Sequence, residues 1–473
     1  MNRTLVDYYR CPEGFTGCLR QVGALSPERG FFEFGPDVVC FGRLAKGTPG
    51  PTVTNGLLDV LQTAVVLPGN VELPFDPGEV VDLLRTERYG GTPRISWFLG
   101  SALARNLYYR VRPLLGVSVR RHLQRLRIRG WDSIAFPHWP VDCTVEQLHA
   151  TLLRLCVQAN GEEIPFIWFW PHGKSSCVAV THDVETKKGR DHCSALMDLD
   201  DSFGIKSSFQ LIPEERYSLS SEFLDGIKSR GFEVNVHDLN HDGKLFVDQD
   251  TFPEKARRIN QYGRDFGARG FRSGALYRNL DWCATLEFSY EMSVPNTARM
   301  DPQRGGCCTV MPYFLGKLVE IPLTTTQDYS LFHILGDYST TLWRQQLHII
   351  AENHGIATFN IHPDYVIEPK ARKLYFELLQ HIEKLRSAGE IWIALPCDVD
   401  RWWRNRAQMK IVRQDGEWKI EGEDNERAQL AYARLNGERL EYSWTPTGNT
   451  AQLDKSKECS LMPRPVTPIT STT

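Results

Sequence analysis

The sequence predicts an α/β protein: a parallel (β/α) barrel, preceded by an irregular α+β region and followed by a small β appendage. Three observations predict it. From Cys177 onward, short β-rich runs alternate with amphipathic helical stretches, the pattern of βαβ units. Seven or eight such units fall within roughly 225 residues, a fit to a barrel whose functional groups sit where the strands end. After Trp403 the texture changes to alternating segments joined by Asp-Gly and Asn-Gly, which are hairpin signals.

Residues 1–170 are rich in Gly, Pro and aromatics (GFFEFG, PFDPGE, WDSIAFPHWPVD) and show no repeat, so they read as an N-terminal α+β region. The barrel occupies 171–406. CVAVT opens it, and a helical pattern runs through Leu196 to Phe203 before KSSFQLI. A helix with Ser220 as N-cap and Gly231 beyond its end precedes FEVNV. GFRSG, YEMSV, LVEIPL, IATFNI and IWIAL follow, with TLWRQQLHIIAENHG and KARKLYFELLQHIEKLRSAGE as helices between the later strands. Residues 407–445 contain MKIVRQDGEWKIEG, turning at Asp415-Gly416, and QLAYARLNGERLEYSW, turning at Asn436-Gly437. The Thr-, Pro- and Ser-rich stretch 446–473 reads as a disordered tail.

Composition bounds the function. A chain of 473 residues with 41% hydrophobic and 11% aromatic residues buries substantial cores. A formal net charge of −3 argues against a surface given over to nucleic acid. No run of about 18 apolar residues suggests a membrane span. The twelve cysteines are scattered, and MNRTLVDYYRCPEGF lacks the apolar stretch of a secretory signal, so a reducing cytoplasm is the expected compartment. The pair Cys307 and Cys308 reads as a packing feature.

The chemistry-bearing residues cluster at predicted strand ends. THDVE places His182, Asp183 and Glu185 at the end of the first barrel strand, and in an extended chain Asp183 and Glu185 project the same way. FEVNV runs into HDLNH, where His237 and His241 are four residues apart, a spacing that lets two imidazoles converge on one metal. Two histidines and a carboxylate leave coordination positions open, as hydrolytic sites do. GFRSG delivers Arg272, FNIHPDY delivers His362 before Pro363, and EIPLTTTQDY delivers Asp328. Taken singly, each reads equally as a salt-bridge partner, cap or turn residue. Their shared position after strands of one alternating segment points to a metal-dependent hydrolytic site.

THDVE (181–185), HDLNH (237–241), FRSGALY (271–277) and FNIHPDY (359–365) resemble, in order, the motifs of the polysaccharide deacetylases, the NodB-homology carbohydrate esterases. The resemblance covers about 177–400. It implies a distorted (β/α)7 barrel and metal-dependent removal of acetyl from an N-acetylated sugar in a cell-surface polysaccharide or its precursor. It also implies His237 and His241 as metal ligands, Asp183 as general base, Arg272 as the residue positioning that base, and His362 as general acid. Many members carry two adjacent aspartates in the first motif; here Val184 takes the second place, and the Asp-x-Asp spacing of some relatives is similar to Asp183-Val184-Glu185, which makes Glu185 the third ligand. Asp238 stands where Ser or Thr is usual, and Ser273 and Gly274 follow Arg272 without the usual proline. The expected ion is zinc, with cobalt or nickel as alternatives.

Two other readings compete: an amidohydrolase acting on a non-sugar amide, and a non-catalytic carbohydrate-binding protein. Tyr277, Tyr329, Trp343 and Tyr365 are candidates for sugar contact and equally for the core. Residues 105–129 carry eight arginines and no acid, interleaved with Leu, Val, Ile and Tyr. Such a stretch suits peripheral contact with an anionic membrane or a lipid-linked substrate on the cytoplasmic side, each arginine near the surface adding about 1 kcal/mol.

Overall fold

A computed structural model describes residues 3–54, 56–90 and 128–445. The arginine-rich stretch 105–127 and the tail 446–473 lie outside the described residues. The barrel strands are β1 (Ser176–Val184), β2 (Ser208–Leu211), β3 (Glu233–His237), β4 (Gly270–Arg272), β5 (Tyr290–Glu291), β6 (Leu318–Glu320), β7 (Ile356–Asn360) and β8 (Ile391–Ile393). β1 to β7 are parallel, in the order β6-β5-β4-β3-β2-β1-β7. β8 pairs with the start of β1, and a strand at Tyr313–Leu315 caps the β6 edge in antiparallel fashion.

β6 and β7 do not pair, so backbone hydrogen bonds alone leave the barrel open. Threonine side chains bridge the gap. Thr324 donates its hydroxyl to the Ile356 carbonyl at 2.7 Å and accepts from the Thr358 amide at 2.9 Å, and Thr325 donates to the Thr358 carbonyl at 2.8 Å. The chain after β6 thus follows β7 without forming a ladder, which is the distortion of the barrel.

The alternation of β1 assigns each residue a side. Val178, Val180 and Val184 face the outer helices, where they pack with Leu196, Ile227 and Leu378. Cys177 and Ala179 face inward, in one buried cluster with Tyr290, Val319 and Ile356. Thr181 and Asp183 continue the inward parity to the strand's end. The helices keep the predicted punctuation: Ser220 caps the helix Ser221–Ser229 by accepting from the Phe223 amide at 3.2 Å, and Gly231 follows at φ 78°.

The N-terminal region forms short helices and small sheets around Phe32, Phe34, Phe75 and the helix Thr144–Asn160, and its core is continuous with the inner core of the barrel. Buried polar groups stitch the two together. Arg406 donates to the carbonyls of Tyr8, Ile167 and Trp168. Glu146 accepts from the Thr309 hydroxyl and the Val310 amide.

In the C-terminal part, Asp415 and Gly416 form a two-residue turn with φ 54° and 86°, the type I′ geometry their pairing predicts. The second hairpin turns one residue later than expected, at Gly437 and Glu438, because Asn436 pairs with Arg439. Its first strand, Leu430–Asn436, also pairs with Ile164–Ile167 of the N-terminal region. The eleven described cysteines are free thiols, and Cys307 and Cys308 are fully buried as packing residues. Among the described residues no helix is long and apolar enough to cross a membrane.

Gly270 is required by its neighbour, since a Cβ there would lie 2.2 Å from the Tyr290 ring. Gly270→Ala is expected to overpack the barrel interior at a cost of about 1–3 kcal/mol. The measurement is the thermal unfolding midpoint, which should fall while the folded far-UV spectrum is unchanged.

Candidate metal and catalytic site

Of the eight residues singled out at predicted strand ends, seven converge at the C-terminal ends of the strands: Asp183, Glu185, His237, His241, Arg272, Asp328 and His362. Glu185 follows β1, and its backbone N–H donates to Asp364 Oδ2 at 3.2 Å. Asp364 also accepts from the Thr186 hydroxyl, and Thr186 caps the helix Lys187–Ser202. Gly189 in that helix makes room, because a Cβ would meet Asp364 Oδ2 at 2.3 Å. Val184 is packed in the outer apolar layer. The carboxylate that reaches the cavity is therefore the one at 185.

His237 ends β3, and its Nδ1 faces the Arg272 carbonyl at 3.1 Å. That bond places the ring proton on Nδ1 and leaves the Nε2 lone pair free. The buried Nε2 atoms of both His237 and His241 have no hydrogen-bond partner among the described residues. His241 Nε2 stands 3.2 Å from Glu185 Oε1, a charge contact without hydrogen-bond alignment. One ligand atom from each of Glu185, His237 and His241 lies within 4.8 Å of the others. Two orphaned imidazole nitrogens beside a carboxylate are the donor set of an open zinc-type site, so the residues present fit such an ion.

The loop carrying His241 is held by Asp238 at φ 57°, whose Oδ1 accepts from the Leu239 amide and whose Oδ2 accepts from the Gly274 amide at 3.0 Å. A Cβ at Gly274 would fall 2.3 Å from Asp238 Oδ2. Asp238 and the proline-free Ser273-Gly274 thus belong together: the longer acidic side chain spans to a backbone amide that only glycine lets it reach.

Asp183 lies inside, 3% exposed. Arg272 Nη1 donates to its Oδ1 at 2.7 Å and to the Thr181 hydroxyl at 2.9 Å, while Arg272 Nε donates to the Met292 carbonyl at 3.0 Å. Asn360 Nδ2 donates to Asp183 Oδ2 at 2.8 Å, and His237 Nε2 stands 3.8 Å from the same oxygen. Burial opposes ionisation of Asp183, but Arg272, then His237 and His362, hold it well below the usual carboxylate range. Glu185 is depressed likewise: burial resists, and His241 overrides it.

His362 Nδ1 faces Asp328 Oδ1 at 2.6 Å, and the His362 amide donates to Asp328 Oδ2 at 2.8 Å. Burial disfavours the imidazolium, but the Asp328 carboxylate outweighs it and pushes His362 up to about 10. Its Nε2 points into the site, 3.8 Å from Glu185 Oε1. The site therefore pairs a carboxylate held ionised with an imidazole held protonated, the separation that acid–base chemistry at neutral pH requires.

His182 stands apart from the cavity. Its ring atoms face the Ile361 carbonyl and Asp200 Oδ2 in the outer layer, where Asp200 also accepts from Ser207 and Tyr375. Of the aromatic candidates, Trp343 is fully buried and donates to the Thr326 carbonyl, so it is core. Tyr329 and Tyr365 lie together with His333 beside His362. Sequence reasoning missed Asn360, although it shares the inward parity of Thr358 and His362 in FNIH.

No family model and no curated protein matches the chain. Among solved structures, the chain is similar to a protein from Mycobacterium smegmatis assigned to the polysaccharide deacetylases, at 19% identity and a TM-score of 0.41 over 50% of this chain and 93% of that one. It is similar to the PuuE allantoinase at 12% identity and a TM-score of 0.37, over 50% and 92% of the two chains. It is also similar to a CE4 family pseudoenzyme from Bacillus anthracis, at 14% identity and a TM-score of 0.30 over 49% and 66%.

The donor set makes a direct prediction. Metal-free protein is expected to take up one Zn²⁺ or Co²⁺ by calorimetry. His237→Ala, His241→Ala and Glu185→Ala should each weaken uptake by more than about a hundredfold, beyond the 10–100-fold effect of losing an outer-shell partner.

Proposed function

We propose that this chain is a metal-dependent hydrolase that removes the acetyl group from an N-acetylated saccharide. The observation that carries the reading is the placement of Asp183, held by Arg272, and His362, held by Asp328, at one site with the Glu185, His237 and His241 donor set. A divalent ion held there, zinc by its donor types, supplies Lewis acidity toward a carbonyl oxygen and toward water.

The chain's own residues account for the proton movements. Asp183, fixed by Arg272 and Asn360, takes a proton from the attacking water as the C–O bond forms at the acetyl carbon. His362 gives its Nε2 proton to the amine nitrogen as the C–N bond breaks, and Asp328 holds the other face of the ring throughout. An amide needs this acid, because without its proton the nitrogen would have to leave as an amide anion. Acetate and a free amino sugar are the products. Support for a sugar comes from the four ordered motifs and from the Tyr329–Tyr365 pair beside His362, whose faces suit the apolar side of a pyranose ring.

The test is acetate release from a panel of N-acetylated saccharides in free, nucleotide-linked and lipid-linked form, with non-sugar amides alongside. Chelation should abolish release and Zn²⁺ or Co²⁺ should restore it. Release from non-sugar amides alone would transfer the reading to a general amidohydrolase, and full activity in verified metal-free protein would refute it.

Two variants separate the roles. Asp183→Asn should lower kcat by more than about a hundredfold, the lower end of general acid–base contributions, with metal content retained. Asp328→Asn should move the alkaline limb of the kcat/KM profile to lower pH by about one unit or more. The sign follows from the acid role: activity needs protonated His362, and removing the carboxylate that raises its pKa lets the proton leave earlier. An unmoved alkaline limb would take the acid role from His362.

A further inference from the structure

Asp183 receives one of its hydrogen bonds from a side chain that is part of a longer chain. Asn360 Nδ2 donates to Asp183 Oδ2 at 2.8 Å and to Gln327 Oε1 at 3.2 Å. Gln327 Nε2 donates to Asp301 Oδ1 at 3.3 Å. The loop bearing Asp301 is tied to Arg278 by Gln303, which accepts from the Arg278 amide at 3.0 Å and donates to its carbonyl at 3.1 Å. Arg278 is buried and gripped by Glu87 through its Nε at 2.6 Å and its Nη2.

The polarity of this chain is dictated at both ends. An ionised Asp183 accepts only, so Asn360 must present its amide nitrogen, and both hydrogens of that nitrogen are then committed. Gln327 must therefore turn its oxygen to Asn360 and its nitrogen to Asp301, which is possible while Asp301 accepts. Reversing Gln327 would set two N–H groups against each other and an oxygen against the Asp301 carboxylate. The orientation of Asn360 is thus set by Asp183 at one end and supported from the other by Asp301, two side chains away.

The backbone makes room for the far end. Gly305 and Gly306 have φ of 133° and 143°. A Cβ at Gly305 would lie 2.4 Å from Glu87 Oε1, which accepts from the Gly306 amide at 2.6 Å. Glu87 itself sits at φ 58° between a helix and a 3₁₀ turn. The N-terminal region is shaped to insert this one carboxylate beneath the loop that follows Arg272.

We propose that Asp301, Gln327 and Asn360 form a directional hydrogen-bond chain that positions the Asp183 carboxylate, with the Glu87–Arg278 ion pair acting on the charge at its far end. Its catalytic meaning rests on the reading of Asp183 as general base; the chain itself does not. The three are positioning residues, since none of them meets the reacting atoms. Burial pushes the Asp301 carboxyl up to about 6, Arg278 pulls it down and Glu87 pushes it up, so the lock engages as pH rises through that value. Arg278 and Glu87 are the charged groups that act on it, and Gln327 is its hydrogen-bond donor.

The test uses full-length, zinc-loaded protein carrying ¹⁵N in its Asn and Gln side chains, with the Asn360 and Gln327 NH₂ signals assigned through Asn360→Ser and Gln327→Met. In the parent protein the Asn360 NH₂ pair should show a step between pH 5 and 8 centred near 6. Asp301→Asn and the volume-conserving Gln327→Met should abolish that step, and Glu87→Gln should move it to lower pH. In kinetics, Asp301→Asn should lower kcat about tenfold with KM and zinc content unchanged, and Asp301→Glu should recover part of the loss. An Asn360 signal indifferent to both Asp301→Asn and Gln327→Met overturns the proposal. Absence of acetate release from the parent protein would instead strike the assignment of Asp183 as base, with the NH₂ titration still deciding the chain.

Discussion

The buried ion pair between Arg272 and Asp183 is the constraint on which the rest of the site depends. Both groups are withdrawn from water, and a pair so placed is stable only when its remaining donors and acceptors are met. Here they are: Thr181, the carbonyl and Sδ of Met292, and Asn360 take them up. Arg272 governs more than the base. Its carbonyl accepts from the Asp238 amide at 2.8 Å and faces His237 Nδ1, which sets the tautomer of that histidine. One residue therefore fixes the charge of Asp183, the lone pair of one candidate ligand and the start of the loop bearing the other. Removing one partner of such a pair leaves an uncompensated buried charge, at about 3–5 kcal/mol, so the site and the stability of this end of the barrel are tied together.

What the sequence could show was what local pattern encodes. Each barrel strand is a short β-rich run, and each side chain at the site follows one directly, so order and inward parity placed Asp183, Glu185, His237, Arg272 and His362 together. Glu185 was legible because it stands two residues after Asp183 and projects the same way in an extended chain, as in the Asp-x-Asp spacing; Val184 between them belongs to the apolar outer layer. Asp238 illustrates the limit. From sequence it is a departure from a motif, whereas in the fold it is a backbone clamp made possible by Gly274, 36 positions later. No single-strand pattern reports that pairing.

The same limit hides the closure of the barrel and the role of the first 90 residues. LVEIPL reads as one strand through Leu323, yet β6 stops at Glu320, and Thr324 and Thr325 bond sideways to β7 through their hydroxyls. Gly305-Gly306 reads as loop punctuation, yet its open space is filled by Glu87, more than 200 residues earlier. Contacts of this kind depend on where the chain returns after long excursions. Composition at either end gives no sign of them.

These features bear on why the barrel is open at β6 and β7. A ladder between those strands would consume backbone groups but would bring no side-chain freedom to the gap. With threonine hydroxyls carrying the contact, the chain after β6 runs on past the strand's end, and two of its residues reach the site region from that side. Gln327 meets Asn360, and Asp328 holds His362. The segment that closes the barrel thus also supplies the partner of His362 and a link toward Asp183. A regular seventh pairing would impose strict alternation, sending Gln327 and Asp328 to opposite faces, and only one of them would remain at the cavity.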